Sequence, residues 1–422
     1  MRVLATLALA ATLAVPAAAQ APAAPEKPMS TPPAGVSERA MKVYRASYVI
    51  DTHNDLPSKI ADESVNVAVR HPVGPVHTDI PRLIEGGVTA VFMSDFVNSP
   101  YALTKPDSSY LRAVQLADTI HSMVDHNPKE LLFATTAADV ERAKKEGKVA
   151  ILIGVEGGHA IEASLDKLRA LHAMGVRYMT LTWNNGNQWA GAAWGIDSTS
   201  TGGLTPFGVE VIHEMNRLGI FVDISHVSEQ TFYDAIKASS VPVIASHSSA
   251  RALSDHRRNL TDDQLKAVAK NGGVVNVNFY PSFISTEYRD ATAAAETSVA
   301  AWRDSALAAP GANADAVKAE AKKRAAAAVA AVPRPALSVL LDHFDHIAKV
   351  AGVDHVGIGS DFDGIEVTPQ QMDDVTMLPR IAQGLLDRGY SDGDVQKILG
   401  GNMMRVMKIV LKPAAKGKPA GS

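Results

Sequence analysis

The 422-residue sequence predicts an α/β protein, a (β/α)8 barrel of the TIM type with a helical, alanine-rich insertion before the last strand. Three observations predict it. Eight short apolar runs, rich in β-branched residues, are spread along the chain. Segments with helical spacing lie between many of them. Polar, chemistry-bearing residues recur where the runs end. Runs this continuous suit strands buried on both faces, as in a parallel sheet. Alternation with helices over eight units suits a barrel. A doubly wound open sheet is the runner-up. It is disfavoured because no glycine-rich fingerprint follows the first strand.

The runs, in order, are 48–51 (YVID), 88–93 (VTAVFM), 149–155 (VAILIGV) and 178–182 (YMTLT), then 220–224 (IFVDI), 241–246 (VPVIAS), 273–278 (GVVNVN) and 356–359 (VGIG). Residues 165–174 and 205–218 carry the clearest helical spacing. Thr205 before Pro206 reads as an N-cap followed by a first-turn proline. Residues 290–335 are alanine-rich with interspersed charge. Alanine and straight-chain residues favour helix, so this stretch is expected to be a helical insertion. It would cover the barrel mouth, form a subunit contact or act as a solvated spacer.

The ends differ from the middle. Met1-Arg2, an apolar run to Val15 and an Ala-x-Ala site describe a secretory signal peptide over 1–19, cut after Ala19. The apolar run is short for a bilayer span, which disfavours an uncleaved anchor. The expected address is periplasmic or secreted. Residues 20–38 are Ala- and Pro-rich and read as a disordered lead-in, and 412–422 as a disordered tail. The barrel is expected over 39–411.

Composition narrows the chemistry. Forty-one basic and 45 acidic residues leave a formal charge of −4, which argues against nucleic acid as a partner. There is no cysteine. Disulfides, thiolate metal sites and a cysteine nucleophile are excluded, and any metal must be held by His, Asp and Glu.

Those residues fall where a barrel places its site, at the C-terminal ends of strands. The first run leads into His53 and Asp55, two apart, so that both point to one side of an extended chain. An imidazole and a carboxylate at that spacing suit a divalent cation. The third run ends in Glu156, a carboxylate that burial would penalise unless it is paired or ligated. His226 and His247 follow the fifth and sixth runs, and Asp361 the eighth. A lone histidine is more often a packing residue. Three histidines and two acids, all at strand ends, can make two metal sites that share a carboxylate. His159 and His256 are candidates for supporting positions, and Asp223 for orienting a ligand histidine.

The motifs IDTHNDL (50–56), GVEGGH (154–159), VDISHVS (222–228), ASHSSA (245–250), RRN (257–259), VNFY (277–280) and IGSDFDG (358–364) resemble, in order, those of the membrane dipeptidases. These are zinc metallopeptidases on an amidohydrolase-like barrel, and the likeness runs over about 45–410. The resemblance implies hydrolysis of dipeptides with two zinc ions. His53 and Asp55 would hold the first, His226 and His247 the second, and Glu156 would bridge them. It implies that Arg258 binds the substrate carboxylate, that Asp361 meets the amine and shuttles the proton, and that Tyr280 contacts substrate. Family members are often dimers, and a dimer here would be non-covalent.

One position departs. The family's Leu-Thr-His, whose histidine helps hold the substrate carbonyl oxygen, is here Leu181-Thr182-Trp183-Asn184. Trp183 is expected to shape the pocket, and its indole or a neighbouring Asn to supply a donor. The alternatives are hydrolysis of another small amide, such as an N-acyl amino acid, and a non-catalytic periplasmic metal- or peptide-binding protein.

Overall fold

The computed structural model describes residues 32–74, 76–194 and 202–411. The expected signal peptide (1–19), most of the expected lead-in and the expected C-terminal tail (412–422) lie outside the described residues. Nine strands form one parallel sheet: β1 (Ile50–Asn54), β2 (Ala90–Phe96), β3 (Leu131–Phe133), β4 (Val149–Glu156), β5 (Val176–Thr180), β6 (Phe221–Asp223), β7 (Ile244–Ala245), β8 (Val274–Val277) and β9 (Val356–Ile358). Pairing runs β2-β1-β9-β8-β7-β6-β5-β4, and the whole of β2 pairs with Ala150–Glu156 of β4, which closes an eight-stranded barrel. An open doubly wound sheet is thereby excluded. The ninth strand, β3, has no counterpart among the apolar runs. It is three residues long and pairs with the start of β4, outside the closed ring.

Each strand presents two apolar faces. Ile50, Phe92, Leu152, Tyr178, Phe221, Ile244 and Val274 form one buried cluster, the barrel interior. Met403, Met407 and Val410 of the last helix, Asn402–Val410, join it and plug its closed end. The opposite face packs on the surrounding helices, with Val91, Ile151, Val222 and Val275 against Ile120, Leu168, Val211 and Phe344. Full burial of one such side chain is worth about 1.5–3 kcal/mol. The open mouth is left to polar residues.

Local signals match the helices. The Thr205 hydroxyl accepts from Gly208 N at the start of Pro206–Leu218. Helix Leu165–Ala173 stands where the spacing places it, capped by Ser164. The insertion is two helices, Thr286–Ala308 and Ala314–Ala330, folded on one another. It begins four residues earlier than composition suggests, because Ser285 caps Tyr288 N. Arg324 lies 3.9 Å over the Trp302 ring between the two helices. Their buried residues are few: Tyr288, Thr292 and Ala321. Helix propensity therefore carries much of this hairpin. At the other end, Ser37 caps helix Glu38–Ala46 and Val36 is buried beside Leu386, so the last residues of the lead-in are ordered against the barrel.

Candidate metal centre and substrate cavity

The site forms where β1, β4, β6, β7 and β9 end. Ile50 faces the interior, and simple alternation from it would turn His53 the other way. A register shift between Asp51 and Asn54 reverses the parity. This irregularity re-aims a side chain at a barrel rim, and the His53 ring meets Tyr178, an interior residue. Glu156 is the last residue of β4 and is buried. His226 and His247 follow β6 and β7, also buried.

The five residues expected to hold metal are brought together. His53 Nε2 lies 3.2 Å from Asp55 Oδ2 and 3.5 Å from Glu156 Oε2. His226 Nε2 and His247 Nε2 lie 3.0 and 3.5 Å from Glu156 Oε1. All three Nε2 atoms thus converge on one carboxylate. Each Nδ1 has a different partner: the Tyr178 hydroxyl at 2.8 Å, Asn184 Oδ1 at 3.0 Å and the Ser246 hydroxyl at 2.8 Å. Ser246 donates to Asp223 Oδ2 at 2.6 Å, so its oxygen accepts from His247 Nδ1. Asp223 thus reaches one of the histidines expected to hold metal. The histidine is His247, reached through Ser246, rather than the nearer His226.

Backbone strain gathers here. His226, Asp361 and Asp363 adopt left-handed φ values of 65°, 63° and 66°. Non-glycine residues rarely do so without surrounding support, and such residues cluster at functional sites. The His226 carbonyl is held by Thr182 Oγ1 at 3.0 Å and by Ala193 N at 2.7 Å.

Electrostatics divide the cluster: against burial, Tyr178, Glu156 and Asp55 hold His53 well above the histidine range, and burial raises Asp55, whereas His226, His247 and Glu156 shift toward their ligand forms. Burial holds His226 down at about 3, with the nearby Arg258 adding, and holds His247 well below the histidine range. Both shifts favour the neutral imidazole. Burial alone would raise the Glu156 carboxyl, but His53 and His226 outweigh it and keep it ionised. Burial pushes Asp361 up to about 7, with Asp55 and Glu156 adding and His53 and Asn278 opposing.

The donor set fits a metal. His53 Nε2 is fully buried and has no hydrogen-bond partner. An orphaned buried nitrogen is costly, and a cation satisfies it. Two groups of ligand atoms stand within 4.8 Å of one another, His53, Glu156 and His247, and His53, Asp55 and Asp361. Nitrogen and carboxylate donors without thiolate suit zinc or a similar cation.

The centre opens into a cavity of about 610 Å³. Trp183 and Tyr280 line it, Trp183 with its ring edge-on to Phe96 at 4.9 Å. Asp361 lies in the wall, its Oδ1 4.0 Å from His53 Nε2 and its Oδ2 accepting from Asn278 Nδ2 at 2.9 Å. Arg258 is more deeply set. It is 2% exposed, lies 5.4 Å over Phe283, and donates to the His247 carbonyl at 3.2 Å. Its Nε has no partner among the described residues. Of the supporting candidates, His159 is buried and bonds the Val97 carbonyl, away from the cluster, while His256 lines the cavity. Sequence reasoning missed Tyr178, which reads as a core aromatic in an apolar run, and the specific part played by Asn184.

A parallel barrel whose mouth holds buried imidazoles around a shared carboxylate defines a metal-dependent hydrolase. The family follows from the whole chain. It belongs to the membrane dipeptidases, peptidase family M19, whose model matches residues 37–419. Among solved structures it is similar to the dipeptidase AC, a metallo peptidase of family M19, at 27% identity over 86% of this chain and 99% of that one, with a TM-score of 0.69. It is similar to a metallo peptidase from Rhodobacter sphaeroides, liganded with a phosphinate mimic of the dipeptide L-Ala-D-Ala, at 26% identity over 86% and 99%, TM-score 0.69. The probable dipeptidase PvdM from Pseudomonas aeruginosa shares the fold, with a TM-score of 0.77 at 24% identity over 89% and 98%. The chain is a metallopeptidase of the dipeptidase type.

Proposed function

We propose that this protein is an exported dipeptidase that uses two zinc ions, bridged by Glu156, to hydrolyse dipeptides, L-Xaa-D-Xaa among them. The convergence of three histidine Nε2 atoms on the two oxygens of Glu156 carries this reading. His53 and Asp55 would hold one cation, and His226 and His247 the other. Bound there, the pair supplies a water acidic enough to react near neutral pH and a Lewis acid for the carbonyl.

The chain's own groups do the rest. Asp361 borders both the cluster and the cavity. It takes the proton that the attacking water gives up and returns it to the departing amine as the C–N bond breaks. Arg258 pairs with the free C-terminal carboxylate, a role that suits a planar guanidinium. Its unpartnered Nε supports this. Asp361 also meets the free amine. Trp183 and Tyr280 border the substrate side chains. Recognition of both ends selects dipeptides over longer chains. Export rests on the first nineteen residues, and a mature N-terminus at Gln20 is the expected finding.

The test is a panel of L-Xaa-L-Xaa and L-Xaa-D-Xaa dipeptides with their N-acetyl and C-amide forms, using zinc-loaded and metal-stripped mature protein. Metal-dependent cleavage of the free dipeptides, with both blocked forms poor, is expected. Equal cleavage of the N-acetyl forms would overturn the dipeptide reading in favour of another small amide.

A further inference from the structure

Trp183 replaces the histidine that the resemblance would put beside the substrate carbonyl, and the next residue has taken on a defined place. We propose that Asn184, locked in one amide orientation by Trp194, sets the tautomer of the metal-ligating His226 and offers its own NH2 group to the substrate carbonyl.

Three contacts build the argument. The Trp194 indole Nε1 lies 2.6 Å from the Asn184 side-chain oxygen. An indole N–H donates and never accepts, so the atom facing it must be Oδ1. The amide flip, usually a matter of assignment, is fixed by chemistry. His226 Nδ1 stands 3.0 Å from that same Oδ1. An amide oxygen only accepts, so Nδ1 carries the proton. Nε2 then bears the lone pair, and it is Nε2 that faces Glu156 at 3.0 Å. A donor-only indole thus dictates, through one amide, which nitrogen of His226 is free to ligate. Partners of this kind fix ring orientation and ligand basicity at metal sites.

The same segment holds the ligand's backbone. Thr182 and Ala193 bind the His226 carbonyl from either side of Asn184, and Ala192 bridges Val227. His226 keeps its left-handed φ of 65° within this grip. Asn184 lines the cavity together with Trp183, Trp194 and His226. With Oδ1 engaged twice, Nδ2 is the donor left over, and it has no partner among the described residues. Asn184 borders the cavity next to His226, and a donor on that wall can serve a substrate carbonyl oxygen as charge develops there. Only this substrate half rests on the dipeptidase reading. The positioning half concerns His226 alone.

Asn184 is therefore a positioning residue through Oδ1 and a substrate donor through Nδ2, and two variants separate the roles. Asn184→Leu removes both. It should weaken the second zinc by about 10–100-fold, measured by competition with a chromophoric chelator. It should also mix the His226 tautomers in ¹H–¹⁵N spectra of the metal-free protein. Asn184→Asp keeps an acceptor for His226 and Trp194 but lacks the NH2. Its zinc affinity and tautomer should stay near those of the parent, while kcat on a cleaved dipeptide falls about 10²–10³-fold. Trp194→Phe, at a half-exposed position, should weaken the second zinc without loss of fold by circular dichroism. Parental zinc affinity and a single tautomer in Asn184→Leu would overturn the positioning role. Parental kcat in Asn184→Asp would overturn the donor role. If the parent protein cleaved no dipeptide, the dipeptidase reading would fail, and the zinc and tautomer arms would still decide the positioning.

Discussion

His226 Nε2 and His247 Nε2 stand 2.9 Å apart. Each ring spends its Nδ1 proton elsewhere, on Asn184 Oδ1 and on the Ser246 hydroxyl. Neither Nε2 then has a proton to give the other. Two lone pairs at that distance repel, and both are directed at Glu156 Oε1. A cation shared by the two rings, as proposed above, would remove that repulsion.

Metal should therefore be part of the protein's stability. A ligand that binds the folded state and not the unfolded one adds RT ln(1 + [L]/Kd), about 2.7 kcal/mol at 100 times Kd. Zinc is expected to raise Tm over the chelated protein. His226→Ala should shrink that rise and bring metal content toward one per chain. An unchanged zinc-induced rise in the variant, by calorimetry, would contradict this.

Asp361→Asn should separate binding from chemistry. The amide keeps the shape and can still accept from Asn278 Nδ2, but it cannot carry a proton. A loss of about 10²–10⁴ in kcat is expected, with KM little changed. Elemental analysis should still find the parental metal content. Near-parental turnover would remove Asp361 from proton transfer.

Gly154 is expected to tolerate no side chain. A Cβ there would stand 2.0 Å from Cζ of Tyr178 in the packed barrel interior. Gly154→Ala should cost about 1–3 kcal/mol by overpacking. Because the Tyr178 hydroxyl bonds His53 Nδ1, the variant should also bind its first zinc more weakly. Denaturant unfolding and zinc competition read the two effects separately.

Acid stability has an identifiable contributor away from the centre. Arg217, with Arg169 in support and against partial burial, holds the Glu214 carboxyl down at about 2. A carboxyl depressed in the folded state contributes stability above its unfolded value of 4.5, and that contribution is lost as pH falls toward 2. Both arginines are well exposed, so the effect is modest. Glu214→Gln should lower Tm above about pH 5, with the difference closing as the medium is acidified. A difference that grows with acid would contradict the sign.

The alternation of apolar runs and helical spacing is a local property, and it is enough to name the barrel and to put His53, Glu156, His226, His247 and Asp361 at strand ends. Caps such as Thr205 are local too. The strand β3 escaped because Leu131–Phe133 carries no β-branched residue. The proton placement on each ligand histidine was beyond reach for a different reason. His53 depends on Tyr178, 125 residues away, His226 on Asn184, 42 away, and His247 on Ser246, which is itself held by Asp223, 23 away. Residue type and spacing alone determined which side chains could bind metal. Only closure of the barrel decided which nitrogen each histidine presents, because a tautomer is set by the hydrogen bond on the far side of the ring, and the groups that fix that bond, Tyr178, Asn184 and Asp223 through Ser246, are distant in the chain.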